Sequence, residues 1–209
     1  MAESNRIHLA SRNAKKIAEM ERILAEHVPD VTVLGLDDVV AYAEPVEDAP
    51  TFAGNALLKA RAGAAATGLP TVADDSGLCV DALNGMPGVL SARWSGPPKD
   101  DARNNRLLLD QLSDVPDERR GAHFRCAVAV VVPGGPEVVV EGRMDGRVVR
   151  EVRGAGGFGY DVLFVADEAP GLTTAELDVA GKDAISHRGK ALRELAPRLP
   201  GLLGAADPG

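Results

Sequence analysis

The chain has 209 residues, 45% hydrophobic and 26% charged, with a formal net charge of −8, which is apolar enough to bury a sizeable core and excludes a disordered protein. The acidic balance argues against a general nucleic-acid binder, whose affinity rests on basic surface neutralising phosphates. No segment approaches the roughly 18 apolar residues of a membrane span, and MAESNRIHLA has no signal-peptide pattern, so a cytoplasmic protein without a membrane partner is predicted.

Residues 6–10, RIHLA, read as a strand, and the helical spacing of Ile17, Met20, Ile23 and Leu24 predicts a helix after it. VTVLGL at 31–36 suits a second strand, followed by an acidic loop and a helix from Thr51 to Thr67 with Gly68 as its C-cap. TVADD at 71–75 opens the next strand, and a further amphipathic helix is predicted over 100–112. The apolar runs on either side of PGGP, within 122–149, predict a long hairpin. RGAGGFGYDVLFV is a Gly-rich loop leading into a strand, TTAELDV suits a short helix, and SHRGKALRELAPRL is a closing amphipathic helix. No repeat or linker divides the chain. The expected fold is α/β, a long central mixed sheet flanked by helices, in one domain over 1–209 with two lobes, a nucleotide cleft between them and a flexible tail beyond about 200.

Cys79 and Cys126 lie far apart among apolar residues and read as reduced core thiols, while His8, His27 and His123 show no ligand spacing and are assigned to structure or surface. Ser11, Asn13 and Lys16 fall where the first strand hands over to the first helix, a place where free N–H groups favour an anion; taken alone, they read rather as a helix cap and a solvated lysine. No GxxxxGK[ST] loop is present.

Asp74 and Asp75 are adjacent carboxylates at the mouth of an apolar strand, where like charges repel and lose solvation unless a cation holds them. With Glu47 they are candidate ligands of a hard cation such as magnesium, which prefers carboxylate oxygens and bridges substrate phosphates; the alternative is that Asp-Asp-Ser-Gly is simply a turn. Lys16, Lys59, Lys182 and Arg188 could meet phosphates. Phe158, in a loop too Gly-rich to be core, could stack on a planar ligand, and Asp161 with Ser186-His187-Arg188 could meet a heterocycle edge.

Together SRNAKK at 11–16, TFAGNALLKAR at 51–61, ADDSGLCVDALNGMPGVLSARWSG at 73–96, GGFGYD at 156–161 and SHRGKAL at 186–192 resemble the inosine triphosphate pyrophosphatase family. The resemblance implies a magnesium-dependent homodimer that hydrolyses non-canonical purine nucleoside triphosphates (ITP, dITP, XTP) to the monophosphate and pyrophosphate. It implies Asp75 as general base with Lys59 as its catalytic partner, and Glu47, Asp74 and Asp75 around the metal. Phosphate and sugar contacts fall to Ser11, Arg12, Asn13, Ala14, Lys15, Lys16, Ser76, Lys59 and Lys182. The base would lie against Phe158, Gly159, Tyr160, Asp161, His187 and Arg188. Gly54 stands where many members carry a carboxylate, and Trp94 where tyrosine is frequent. A pyrophosphatase for modified or pyrimidine nucleotides, or a nucleotide-binding module without catalysis, are the competing expectations.

Overall fold

A computed structural model describes residues 5–204, the Lys15 side chain excepted, so the expectation for Lys15 lies outside the described residues. Among the described residues seven strands form one mixed sheet: β1 Arg6–Leu9, β2 Thr32–Leu34, β3 Thr71–Val80, β4 Met86–Pro87, β5 Gly121–Val131, β6 Glu137–Val148 and β7 Phe164–Ala166. Their order is β2-β1-β3-β5-β6-β7, with β4 paired to β3. Six α-helices accompany them among the described residues: α1 Ala14–Leu24, α2 Phe52–Thr67, α3 Asp101–Gln111, α4 Val179–Ile185, α5 His187–Leu195 and α6 Leu199–Gly204. No helix among the described residues is long and apolar enough to cross a membrane.

The chain divides into two compact units, and β3, β5 and β6 each run through both. Among the described residues, the first unit takes 5–75, 127–141 and 190–204. Here β1 pairs in parallel with both β2 and β3, so the chain leaves β1 through α1 to one side and returns through α2 to the other. Right-handed crossovers in opposite directions send α1 and α2 to opposite faces of the sheet and make the end of β1 a topological switch point. Register confirms the division: His8 pairs with Thr71 and Leu9 with Val72, so alternation puts Leu9, Val72 and Asp74 on one face and His8, Thr71, Ala73 and Asp75 on the other. His8 is buried on the α2 face, with Nε2 2.8 Å from the Tyr42 hydroxyl.

Local chemistry explains α2. Thr51 Oγ1 accepts from Gly54 N at 3.0 Å to cap its start, and Gly68, at φ 68°, closes it with its N–H on Ala64 O.

The second unit takes 76–126 and 142–189. Its core gathers Leu78, Val80, Leu108, Leu112, Phe124, Met144, Leu163 and Phe164, the apolar face of the β5–β6 hairpin packed against α3. Under that packing lies Arg120, 2% exposed. Its guanidinium donates to Leu112 O at 2.7 Å, Val148 O at 2.9 Å and Val149 O at 3.0 Å. It therefore ties the C-terminus of α3 to the end of β6 through carbonyls, and burial lowers its pKa.

Two sequence expectations are corrected. Asp74 to Gly77 is no turn: β3 runs unbroken from Thr71 to Val80. TTAELDV is not helical, because its threonines are spent on other bonds, Thr173 Oγ1 donating to Arg153 O at 2.9 Å and Thr174 Oγ1 to Asp161 Oδ1 at 2.9 Å. The helix begins only at Val179, where Asp178 accepts from Gly181 N at 2.7 Å.

Candidate active site

In the first unit, β1 runs into the turn that opens α1. Asn13 N donates to Ser11 Oγ at 3.2 Å and Asn13 O accepts from Ile17 N at 3.1 Å, so both polar residues shape the helix start. Arg12 is turned to the acidic segment, 3.3 Å from Asp37 and bonded to Glu44; Asn13 and Ala14 are exposed. One helical turn on, Lys16 Nζ lies 2.8 Å from both carboxylate oxygens of Asp74.

Asp75 takes its partners from the opposite helix. Asn55 Nδ2 donates to Asp75 Oδ2 at 2.9 Å, and Lys59 Nζ is 4.0 Å from Asp75 Oδ1 and 3.0 Å from Glu47 Oε1. Asn55 and Lys59 are four residues apart and share one face of α2. Asn55, fully buried, also accepts from Ala49 N at 2.9 Å. Burial pushes the Asp75 carboxyl up, the Asn55 bond and Lys59 draw it down, and Glu47 and Asp74 push it up again. Ser76 follows on β3, half-buried.

Two adjacent carboxylates are thus tolerated because strand alternation aims them at different faces, where each meets its own lysine. Of the three expected metal ligands, Glu47 and Asp75 converge on Lys59, whereas Asp74 is engaged by Lys16. Among the described residues no three of His, Cys, Asp and Glu gather as a ready-made metal cage. A carboxylate at 54 has no room, since a Cβ there would lie 2.7 Å from Ala49 Cβ.

In the second unit the glycine-rich loop is organised by Asp161, 4% exposed. Its carboxylate accepts from Phe158 N at 2.8 Å, Thr174 Oγ1 at 2.9 Å and Lys182 Nζ at 2.5 Å. The loop closes so tightly over it that a Cβ on Gly157, at φ +72°, would lie 2.2 Å from Asp161 Oδ2. Helix α3 anchors the same loop: Asp101 Oδ2 accepts from Gly159 N at 2.8 Å and Asn105 Nδ2 donates to Gly159 O at 2.9 Å. Phe158 is left 59% exposed, with Lys182 Nζ 5.1 Å from its ring centroid. Lys182, expected among the phosphate contacts, is therefore placed with the Phe158 loop.

Tyr160 turns into the core and donates to Ser91 O at 3.0 Å, and burial raises its pKa. Ser186 Oγ accepts from Gly189 N at 3.0 Å and so caps α5. His187 is free of that task and stacks on Phe124, centroids 4.9 Å apart and planes at 12°; Arg188 beside it is half-buried. Sequence reading missed Asn55, Asp101, Asn105 and Thr174. For Asn55 a signal existed, since a polar residue four before Lys59 on an otherwise apolar helix face asks for a partner.

Lysine–carboxylate pairs at the switch point of an α/β sheet, and in the other unit an exposed ring beside an ammonium, are the equipment of a nucleotide-handling protein. The Ham1 family model matches residues 7–198, and the chain belongs to this family. It is 63% identical over 198 residues to the dITP/XTP pyrophosphatase of Nocardia farcinica, covering 94% of this chain and 96% of that one. The crystal structure of the nucleoside-triphosphatase, dITP/XTP pyrophosphatase, from Mycobacterium abscessus superposes with a TM-score of 0.77 at 57% identity, covering 92% and 99% of the two chains. The Ham1 protein of Staphylococcus aureus gives a TM-score of 0.85 at 36% identity, covering 94% and 98%. The family resemblance read from the motifs and the mixed α/β fold are both borne out.

Proposed function

We propose that this chain hydrolyses dITP, XTP and ITP to the nucleoside monophosphate and pyrophosphate, removing non-canonical purines from the nucleotide pool of the cytoplasm. The observation that carries this reading is Asp75, a half-buried carboxylate at the switch point with Asn55 and Lys59 against it and Glu47 on the same lysine. Asp75 takes the proton of the attacking water as a new oxygen bond forms at the α-phosphorus and the bond to the bridging oxygen breaks. Lys16, oriented by Asp74, and Lys59 neutralise the triphosphate and the charge growing on the leaving pyrophosphate, with Ser11 and the turn into α1 offering further donors.

Glu47 and Asp75 suit magnesium, which binds through one or two carboxylates and keeps waters for substrate phosphates to replace. When bound, such an ion supplies charge neutralisation and polarises phosphoryl oxygens. Homodimerisation belongs to this reading on the family resemblance alone. Pyrophosphate release from dITP and XTP, measured with and without magnesium, tests the whole, and its absence with both nucleotides would end it.

In the second unit, Phe158 offers its ring to the purine, while Lys182 and Arg188 supply donors suited to a 6-keto oxygen. Adenine presents an amino group there, and an unmatched donor costs about 1–3 kcal/mol, roughly fivefold to 150-fold in kcat/KM. Phe158→Ala is expected to weaken all purine triphosphates alike, since stacking does not read the base edge. Lys182→Ala and Arg188→Ala are expected to narrow the gap between ITP and ATP. Steady-state kinetics of both nucleotides check this, and equal hydrolysis of the two by the wild type contradicts the selective reading.

A further inference from the structure

We propose that Asn55 is a positioning residue that fixes the Asp75 carboxylate and the Glu47 segment to one another through a single amide group; the inference rests on the role assigned to Asp75 above. Asn55 sits on the first full turn of α2, completely buried. Its Nδ2 donates to Asp75 Oδ2 at 2.9 Å, and its Oδ1 accepts from Ala49 N at 2.9 Å, two residues after Glu47. The amide is rigid and planar, so its two ends cannot move independently. That one group therefore links the Asp75 carboxylate to the backbone two residues beyond Glu47.

Three features of the surroundings make this more than a satisfied buried amide. Asp75 is a half-buried acid beside two other carboxylates, Glu47 and Asp74, so its preferred orientation without a donor would turn away from them. Asn55 puts a neutral donor on it at 2.9 Å, and the cation Lys59 stands farther off at 4.0 Å and closer to Glu47. The segment carrying Glu47 is irregular from 40 to 49, and such a segment takes its position from tertiary contacts of this kind. Gly54 next door offers no side chain that could substitute, with Ala49 filling the space.

Asparagine suits both ends because it is donor and acceptor at once. Aspartate keeps the acceptor for Ala49 N and loses the donor to Asp75, whereas alanine loses both. The two variants therefore separate the two halves of the clamp. Misplacement of a reacting group by about 1 Å costs on the order of a hundredfold in rate.

The experiment measures kcat and KM for dITP, the melting temperature, and hydrogen exchange at the Ala49 amide, in wild type, Asn55→Asp and Asn55→Ala. Both variants are expected to lose kcat by about a hundredfold with KM changed less than about threefold. Ala49 exchange is expected to accelerate in Asn55→Ala only, a readout independent of turnover and of any bound ion. Wild-type kcat in a folded Asn55→Asp protein overturns the proposal, as does an unchanged Ala49 exchange rate in Asn55→Ala. Should Asn55→Ala not fold, Asn55→Asp decides the matter alone. Asp75→Asn, measured beside these variants, separates this inference from the reading beneath it. If Asp75→Asn alone is active, the role of Asp75 fails; if it is inactive and Asn55→Ala is not, only the clamp fails.

Discussion

Asp75→Asn is expected to fold as the wild type does and to lose nearly all turnover. The substitution preserves shape, and the new amide oxygen can still accept from Asn55 Nδ2, now 2.9 Å from Asp75 Oδ2. What disappears is the proton acceptor, whose loss alone typically costs about 10²–10⁴-fold, and with it one of the two carboxylates suited to a divalent ion. Stability is expected to hold or rise. Burial raises the Asp75 pKa in the folded chain, so the native state binds that proton more tightly than the unfolded state does. Its contribution therefore favours folding below the carboxylate range and is lost as pH climbs through it, making the ionised form a cost that asparagine removes. Circular dichroism and a melting curve at neutral pH, beside pyrophosphate release, check both halves. An active variant excludes Asp75 from the chemistry, and an unfolded one contradicts the account of its burial.

Arg120→Met is expected to produce the larger structural effect. Methionine fills similar volume but leaves Leu112 O, Val148 O and Val149 O without the donors they now share at 2.7–3.0 Å. A buried acceptor left unmet costs about 1–3 kcal/mol, so a total of roughly 3 kcal/mol or more is expected. For a chain of this size that lowers the melting temperature by on the order of 10 °C. Arg120→Lys, with one ammonium for three carbonyls, should recover only part of the loss. A denaturant titration of the three proteins decides the point, and a melting temperature within 2–3 °C of wild type, roughly one kcal/mol, for Arg120→Met would show that those carbonyls find other partners.

The parts legible in the sequence are those governed by neighbours in the chain. Thr51 and Gly68 announce the ends of α2, and PGGP between two β-branched runs announces the β5–β6 hairpin. Where composition pointed the wrong way, a distant partner overrode it. Asp-Asp-Ser-Gly has turn chemistry, yet Lys16 and the Asn55–Lys59 face of α2 hold its carboxylates and the backbone stays extended. TTAELDV has helix-compatible residues, yet Thr174 is drawn to Asp161. The same limit applies at the site. Residue types named Asp75, Lys16 and Phe158 as candidates, but that Lys182 lies over Phe158 while Asp161 is committed within its own loop follows from contacts made at a distance.

The alternation of Asp74 and Asp75 along β3 also constrains how such a chain can change over evolutionary time. Parity along a strand is counted from its hydrogen-bonded register, here set where Thr71 and Val72 meet β1. Removing or adding one residue between that register and Asp75 would exchange the two carboxylates between faces, giving Lys16 the acid that now faces Asn55 and the reverse. A pair of residues gained or lost would restore parity but shift both acids along the strand by about 7 Å, beyond the reach of either lysine's present bond. The number of residues from Thr71 to Asp75 is therefore fixed by parity. Insertions and deletions are admissible where no such count is kept, as in the turn at 132–136 between β5 and β6.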